Sequence, residues 1–430
     1  MLNLEKLTTE NRQLQLAVNE LKVLNDIATT ISSIQPVEEI IDQIVVQCIK
    51  HLGVEEGAVS LLEHEAGGKE FHTMIRRQDS AIDKVPYKLD NHLTGWMIKH
   101  KSALMSNNIR KDERFNFLSD VSYLFHSLLC VPLMIKGTLI GYLVVFNKKN
   151  KEPFSSEDRR LLSIIASQSA QVIENARLYE EEKALISLKE EMRMAREIQL
   201  NLLPDQIPKI SGYQISATNI PAKSVGGDYY DFLSLSRNRL GFCIGDITGK
   251  GMPAAMLMAN LQATFRSQGL IYEDCSTCMQ GTNKMLYRST ESTKFATFFY
   301  GILDVEKSTI CFANGGHDAP LLFHEDENPQ HLKATGLLLG VMAETDYSEQ
   351  MISLEPNDIL VLFTDGITEA MNQQGDLFGL DRLIEIVTLN RNRSAQKILD
   401  SILQDIRKHA KDASQSDDIT VMIVKREAES

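Results

Sequence analysis

Hydrophobic positions recur every seven residues in two places along the chain. Leu7, Leu14, Leu21 and Ala28 form the first seam, with Ala17, Leu24 and Ile31 three residues after three of them. The second runs through Leu178, Leu185 and Met192, with Leu188, Ala195 and Leu202 at the complementary positions. Charges flank it at 177–183 and 189–193. Apolar residues at this spacing line one face of a helix and are the mark of a coiled coil. Pro36 breaks the first pattern, and Pro204, followed by Pro208, ends the second. Three heptads are marginal in isolation, so each helix needs support. It either pairs in a dimer or lies on its own domain.

The pattern between the seams is mixed. Val37 to Leu52 has Ile40, Ile41, Ile44, Val45 and Cys48 at helical spacing. Ala58–Leu62 and Ser127–Leu133 read as strands, and Lys136-Gly137 is a turn into a strand from Thr138 to Phe146. Ser155 or Ser156 can cap a following helix, because Glu157 and Asp158 suit its first turn. Beyond the second seam, apolar runs end repeatedly in Asp and Gly. The picture is α+β and multidomain, as 430 residues already favour.

Charge narrows the class. Lys plus Arg is 45 against 58 Asp plus Glu, a net −13, which disfavours nucleic acid or an anionic membrane as partner. No apolar run is long enough to span a membrane. The six Cys are scattered, and Cys275-Ser-Thr-Cys278 has no second pair at zinc-finger spacing, so all six read as reduced thiols of a cytoplasmic protein.

Several segments then fall in a telling order. They are Gly95-Trp96-Met97-Ile98, Asn108-Ile109, Arg114-Phe115, Ser127–Leu133, Ile140–Leu143, Asn147-Lys148, Phe154 and Asn175–Tyr179. In this order and spacing they resemble a GAF domain over about residues 20–178. The resemblance implies a six-stranded antiparallel sheet backed by helices, often dimeric, with a pocket for a small regulatory ligand. Cyclic-nucleotide-binding GAF domains continue Asn-Lys and Phe with Asp-Glu. Here Asp158 is followed by Arg159, which argues against that ligand. Lys148 and Asp158 then read as a structural ion pair, Cys130 as core, and Trp96 as core or pocket wall.

The C-terminal half holds four Asp motifs beside apolar runs. They are Gly226-Gly227-Asp228-Tyr229-Tyr230-Asp231, Gly245-Asp246-Ile247-Thr248-Gly249-Lys250-Gly251, Thr364-Asp365-Gly366 and Asp417-Asp418. Each places a carboxylate at a strand mouth, and Gly lets the backbone turn or approach closely. Carboxylates gathered this way repel one another but suit hard divalent cations such as Mg²⁺ or Mn²⁺. The second motif lacks the spacing and the Ser/Thr of a nucleotide-binding P-loop.

These motifs, with residues 193–204, Ala296–Gly301, Asn314-Gly-Gly-His317, Gly336–Gly340 and Asp417-Asp-Ile-Thr420, resemble the SpoIIE-type branch of the PPM (protein phosphatase 2C-like) serine/threonine phosphatases over about residues 193–425. The resemblance implies an αββα β-sandwich with two Mn²⁺ or Mg²⁺ ions at one end. Asp246 and the backbone carbonyl of Ile247 would bind them with Asp228, Asp365 and Asp417. Asp418 is the alternative to Asp417, and Lys223 is a candidate contact for the substrate phosphate. Asp231 reads as structural, and His317 as part of a hairpin turn. Such a centre hydrolyses phosphoserine or phosphothreonine with an activated water, and the implied substrate is a phosphorylated STAS-type anti-sigma-factor antagonist. The expected organisation is a coiled-coil-like helix (1–34), a GAF sensor (35–175), a linker helix (176–204) and a phosphatase domain (205–430), with two such chains forming a homodimer. Two other classes compete: a catalytically silent GAF/PPM scaffold and a metal-dependent nuclease. The filled acidic positions weigh against the first, and the acidic charge and missing basic stripe against the second.

Overall fold

A computed structural model describes residues 2–31, 35–65, 68–77, 87–116, 125–290, 293–325 and 328–428. The chain divides into two compact units, Met1–Ser187 and Leu188–Ser430.

The first unit opens with helix α1 (Leu2–Ile31) and α2 (Val37–Leu52). Pro36 stands at the N-cap of α2, and Gly53 closes it in the left-handed conformation at φ 62°. Strands β1 (Val54–Glu65) and β2 (Gly68–Arg77), helix α3 (Tyr87–His100), then β3 (Leu104–Ser106), β4 (Leu128–Ile135) and β5 (Thr138–Lys148) follow. The strands form one antiparallel sheet in the order β2-β1-β5-β4-β3, so five of the six expected strands lie among the described residues. Side chains alternate across it. Val59, Val131, Leu143 and Val145 face α2 and helix α4 (Ser156–Leu200). Ala58, Cys130, Val144 and Phe146 face α3 on the other side, where Trp96 packs half-buried. Lys148 and Asp158 pair at 2.9 Å.

Helix α4 starts on a reciprocal cap. The Asp158 amide donates to Ser155 Oγ at 3.1 Å, and the Ser155 amide donates to Asp158 Oδ2 at 2.8 Å. The helix runs 45 residues, past the boundary between the units, and ends four residues before Pro204. Leu7, Leu14 and Leu21 of α1 and Leu178, Leu185 and Leu188 of α4 are all more than half exposed in the single chain. The side chains of Ala28 and Ile31 lie outside the described residues.

The second unit is a four-layer sandwich. Its strands are β6 (Tyr213–Ile220), β7 (Tyr229–Ser236) and β8 (Arg239–Ile247), then helices α5 (Met252–Ile271) and α6 (Cys275–Ser289). Next come β9 (Ala296–Asp304), β10 (Thr309–Gly315), β11 (Leu321–Phe323), β12 (Gln330–His331), β13 (Gln350–Ser353) and β14 (Ile359–Phe363). The short α7 (Asp365–Thr368), α8 (Leu380–Asn390), α9 (Ala395–Ala410) and β15 (Ile419–Arg426) complete it. One sheet has the order β13-β10-β9-β8-β7 and the other β12-β11-β14-β15-β6.

Period-2 alternation builds the layers. Phe242, Ile244, Phe299 and Phe312 of the first sheet meet Leu322, Leu360, Leu362 and Met422 of the second. The opposite faces carry Cys243, Phe298 and Tyr300 against α5 and α6, and Val361, Phe363, Val421 and Ile423 against α8 and α9. The Asn-Gly-Gly-His segment is not a hairpin. It carries the chain from β10 in one sheet to β11 in the other, which corrects the sequence expectation.

Candidate metal centre

Antiparallel register brings the acidic motifs to one end of the sandwich. The start of β7 lies beside the end of β8, with Tyr229 opposite Gly245. The end of β14 lies beside the start of β15, with Phe363 opposite Val421. Asp228 and Asp246 therefore come from one sheet, and Asp365 and Asp417 from the other. Two hydroxyls join the sheets: Thr364 and Thr420 donate to Asp228 Oδ2 at 2.8 and 2.6 Å.

Asp417 and Asp418 take different positions. Asp418 is buried and accepts from the backbone N–H groups of Ala222 at 2.7 Å and Gly227 at 2.6 Å, with Asp228 at 3.4 Å. It holds the loop that presents Asp228. Two glycines are required around it. A Cβ on Gly226 would lie 2.3 Å from Asp418 Oδ2, and one on Gly366 would lie 1.9 Å from the Asp418 carbonyl oxygen. Asp417 is more open and pairs with Lys250 at 2.7 Å, while Lys250 also donates to the Ser416 carbonyl at 2.7 Å.

The electrostatics are those of crowded carboxylates. Burial, then the charges of Asp365 and Asp417, push Asp246 up to about 7. Burial and then Asp417 push Asp365 up to about 6, with Glu369 and Asp318 adding to it. Burial and then Asp246 raise Asp228, against the two threonine hydroxyls. Hydrogen bonding to Asp417 raises Lys250 in turn. An all-oxygen donor set that resists its own ionisation, with an ammonium beside one member, fits hard divalent cations. The residues that would hold them are Asp228, Asp246, Asp365 and Asp417. The Ile247 carbonyl oxygen faces the loop that carries Asp228, 2.8 Å from where a Cβ on Gly227 would stand.

Residues 236–427 match the family described as Stage II sporulation protein E (SpoIIE), and residues 36–173 match the GAF domain. The chain joins a GAF domain to a SpoIIE-type PPM domain. It is 30% identical over 263 residues to Protein IcfG of Synechocystis sp., across 55% of this chain and 41% of that protein. It is 29% identical over 240 residues to Phosphoserine phosphatase RsbU of Bacillus subtilis, across 56% of this chain and 71% of that protein. The SiaA-PP2C domain of Pseudomonas aeruginosa shares the fold, with a TM-score of 0.51 at 19% identity over 57% of this chain and 98% of that one. The chain thus spans less than half the length of IcfG. Asp246, Asp365 and Asp417 lie inside the SpoIIE match, and Asp228 lies just before it.

Lys223 lies over the second motif, its Cδ 3.8 Å from where a Cβ on Gly251 would stand. Lys294, which the sequence gave no reason to select, sits over the same loop, its Nζ 3.7 Å from the Cβ position of Gly249. Gln199, near the end of α4, was also missed. It is buried, donates to the Gly226 carbonyl at 2.7 Å and accepts from the Gly226 amide at 3.0 Å. Asp231 is fully buried and pairs with Arg266 at 2.6 Å, away from the other carboxylates. His317 is buried, with its amide donating to Asn314 Oδ1 at 2.8 Å. Its Nδ1 lies 2.9 Å from Thr297 Oγ1.

Proposed function

We propose that the chain is a metal-dependent protein serine/threonine phosphatase under the control of its GAF domain. The observation that carries this reading is the convergence of Asp228, Asp246, Asp365 and Asp417 from two sheets, with the ionisation of the first three opposed by burial and by their neighbours. Two Mn²⁺ or Mg²⁺ ions held there would lower the pKa of a water and offset charge on the phosphoryl oxygens. Thr364 and Thr420 fix the rotamer of Asp228, and Asp418 fixes the loop on which it stands. Lys223 and Lys294 put positive charge beside the Gly249–Gly251 turn of the second motif, where an incoming phosphomonoester needs it. RsbU is named a phosphoserine phosphatase, which supports the same reaction class for this chain. A phosphorylated STAS-type anti-sigma-factor antagonist, in a bacterial cytoplasm, is the substrate that the family resemblance favours.

The proposed organisation is a helix over 1–34, the GAF sensor over 35–175, a linker over 176–204 and the phosphatase over 205–430. The exposed leucines of α1 and α4 suit pairing of two chains. Ligand binding at the sensor would shift the α4 pairing, and Gln199 offers the route from α4 to the Asp228 loop. The test is hydrolysis of a phosphoserine peptide with Mn²⁺ by wild type, Asp246→Asn and Asp365→Asn. Metal-dependent turnover lost in both variants is the expected result. A folded, metal-loaded wild type without turnover would make the chain a scaffold instead.

A further inference from the structure

One cluster of metal-ligating side chains lies outside this centre. Among the described residues, Cys275, Cys311 and Glu349 place one ligand atom each within 4.8 Å of one another. They come from three elements. Cys275 is the first residue of α6, Cys311 lies within β10, and Glu349 immediately precedes β13. The partner of Cys275 is therefore not Cys278 of the same CxxC. Cys278 points into the core, its Sγ 3.9 Å from where a Cβ on Gly269 would stand.

The cluster is held in place from several sides. Cys275 Sγ reaches the Cys311 carbonyl oxygen at 3.4 Å. The Ser276 amide donates to Glu349 Oε1 at 2.9 Å, and Ser276 Oγ donates to the Tyr347 carbonyl at 2.7 Å, so the carboxylate is tied to the first turn of α6. Asp274 caps that turn through the Thr277 amide at 2.7 Å. The three ligands grade from buried Cys275 through half-buried Cys311 to exposed Glu349, which leaves an approach from solvent. The neighbouring Cys275 thiol holds the Cys311 thiol below its ordinary range. Burial pushes the Cys275 thiol the other way, and a bound cation would take the place of its proton.

We propose that Cys275, Cys311 and Glu349 form a second metal site, for a thiophilic divalent ion of the Zn²⁺ class. Two thiolates and one carboxylate are a thiolate-dominated, three-ligand set that favours tetrahedral zinc with one position left for water. The carboxylate centre, by contrast, has only hard donors. The two sites are separate. Asp246 lies opposite Thr297, and Cys311 opposite Ile302, five residues further along β9, or roughly 16 Å at about 3.3 Å per residue. Loading releases the two thiol protons and staples α6 to β10 and β13. The site does not depend on the phosphatase reading.

Cobalt(II) titration of the reduced full chain tests the site. The expected result is a thiolate-to-cobalt charge-transfer band saturating at one equivalent, displaced by Zn²⁺. Carboxylates give no such band, so it persists in Asp246→Asn, which is altered only at the other centre. It is lost in Cys275→Ser and in Cys311→Ser and retained in Cys278→Ser. Glu349 is exposed, so Glu349→Gln keeps the fold and should give a weaker complex with the band still present. No band in the folded wild type, or a band lost in Cys278→Ser and kept in Cys311→Ser, overturns the assignment. So does rapid closure of a Cys275–Cys311 disulfide, seen by mass, in place of metal binding in mild reductant.

Discussion

The raised carboxylates make the metal-free C-terminal unit less stable as pH rises. Asp246 is carried from an ordinary 3.8 to about 7 and Asp365 to about 6. Below pH ~4 both are protonated in the folded and unfolded chain, and neither costs stability. Between pH ~4 and ~7 the unfolded chain ionises while the folded one resists, so stability is lost through this window and is level above it. At about 1.4 kcal/mol per tenfold, Asp246 alone sets an upper bound of about 4 kcal/mol. Asp365 is only partly buried and shares the same field, so it adds little to that bound. A total of about 2–4 kcal/mol corresponds to roughly 5–10 °C in Tm for a unit of this size. His317 opposes the trend, because burial pushes it down to about 4 and its contribution grows as pH rises toward its ordinary 6.5. The comparison of wild type with Asp246→Asn cancels it. Scanning calorimetry in EDTA at pH 5 and pH 8 gives the measurement, and Trp96 fluorescence marks the transition of the first unit, where the single tryptophan sits. Asp246→Asn should be the more stable protein at pH 8 in EDTA and should lose the Mn²⁺-induced rise. Equal Tm values for the two proteins at pH 8 in EDTA would refute the electrostatic account of the site.

Gln199→Ala removes both bonds to the Gly226 backbone and leaves buried groups unmatched, at a cost of about 1–3 kcal/mol. The Mn²⁺ concentration for half-maximal turnover should rise, and an unchanged Mn²⁺ titration would disconnect α4 from the site. Lys250→Met removes the ammonium paired with Asp417. An exposed pair is worth at most about 1 kcal/mol, so Mn²⁺ binding by calorimetry should tighten by about two- to fivefold, and weaker binding would mean that Lys250 is not a competitor for the cation. Asp418→Asn sets one amide donor against the N–H groups of residues 222–228 and should cost about 1–3 kcal/mol in urea melts with metal absent. Asp417→Asn should leave the same melts unchanged or slightly stabilised while abolishing one Mn²⁺ equivalent, and matching losses of stability in the two variants would remove the distinction between them.

The acidic positions were legible because a carboxylate at either end of an apolar run, beside glycine in three of the four motifs, is a local pattern. Its physical cause is now specific. Gly226 and Gly366 are the positions where a Cβ would strike Asp418, so the motif carries the packing of the site within a few residues of sequence. What escaped the sequence is whatever depends on pairing over long separations. Thr364 and Thr420 are ordinary β-branched strand-end residues until both meet Asp228, 136 and 192 positions away. Gln199 is one more polar residue on a helix with many, and Cys311 has no spacing that ties it to Cys275. The Asn-Gly-Gly-His turn was misread because its glycines announce a reversal, and nothing local says that the next strand joins the other sheet. Asp417 and Asp418 are the instructive pair, since residue type cannot separate them. Strand alternation can. They lead directly into β15, so neighbouring side chains point to opposite faces. If one carboxylate is turned in to hold the 222–228 loop, the other is turned out toward Lys250. The buried member has its oxygens engaged by three backbone N–H donors, whereas the more open Asp417 takes only one, from the Asp418 amide at 2.9 Å, beside Lys250, and keeps more lone pairs to offer a cation.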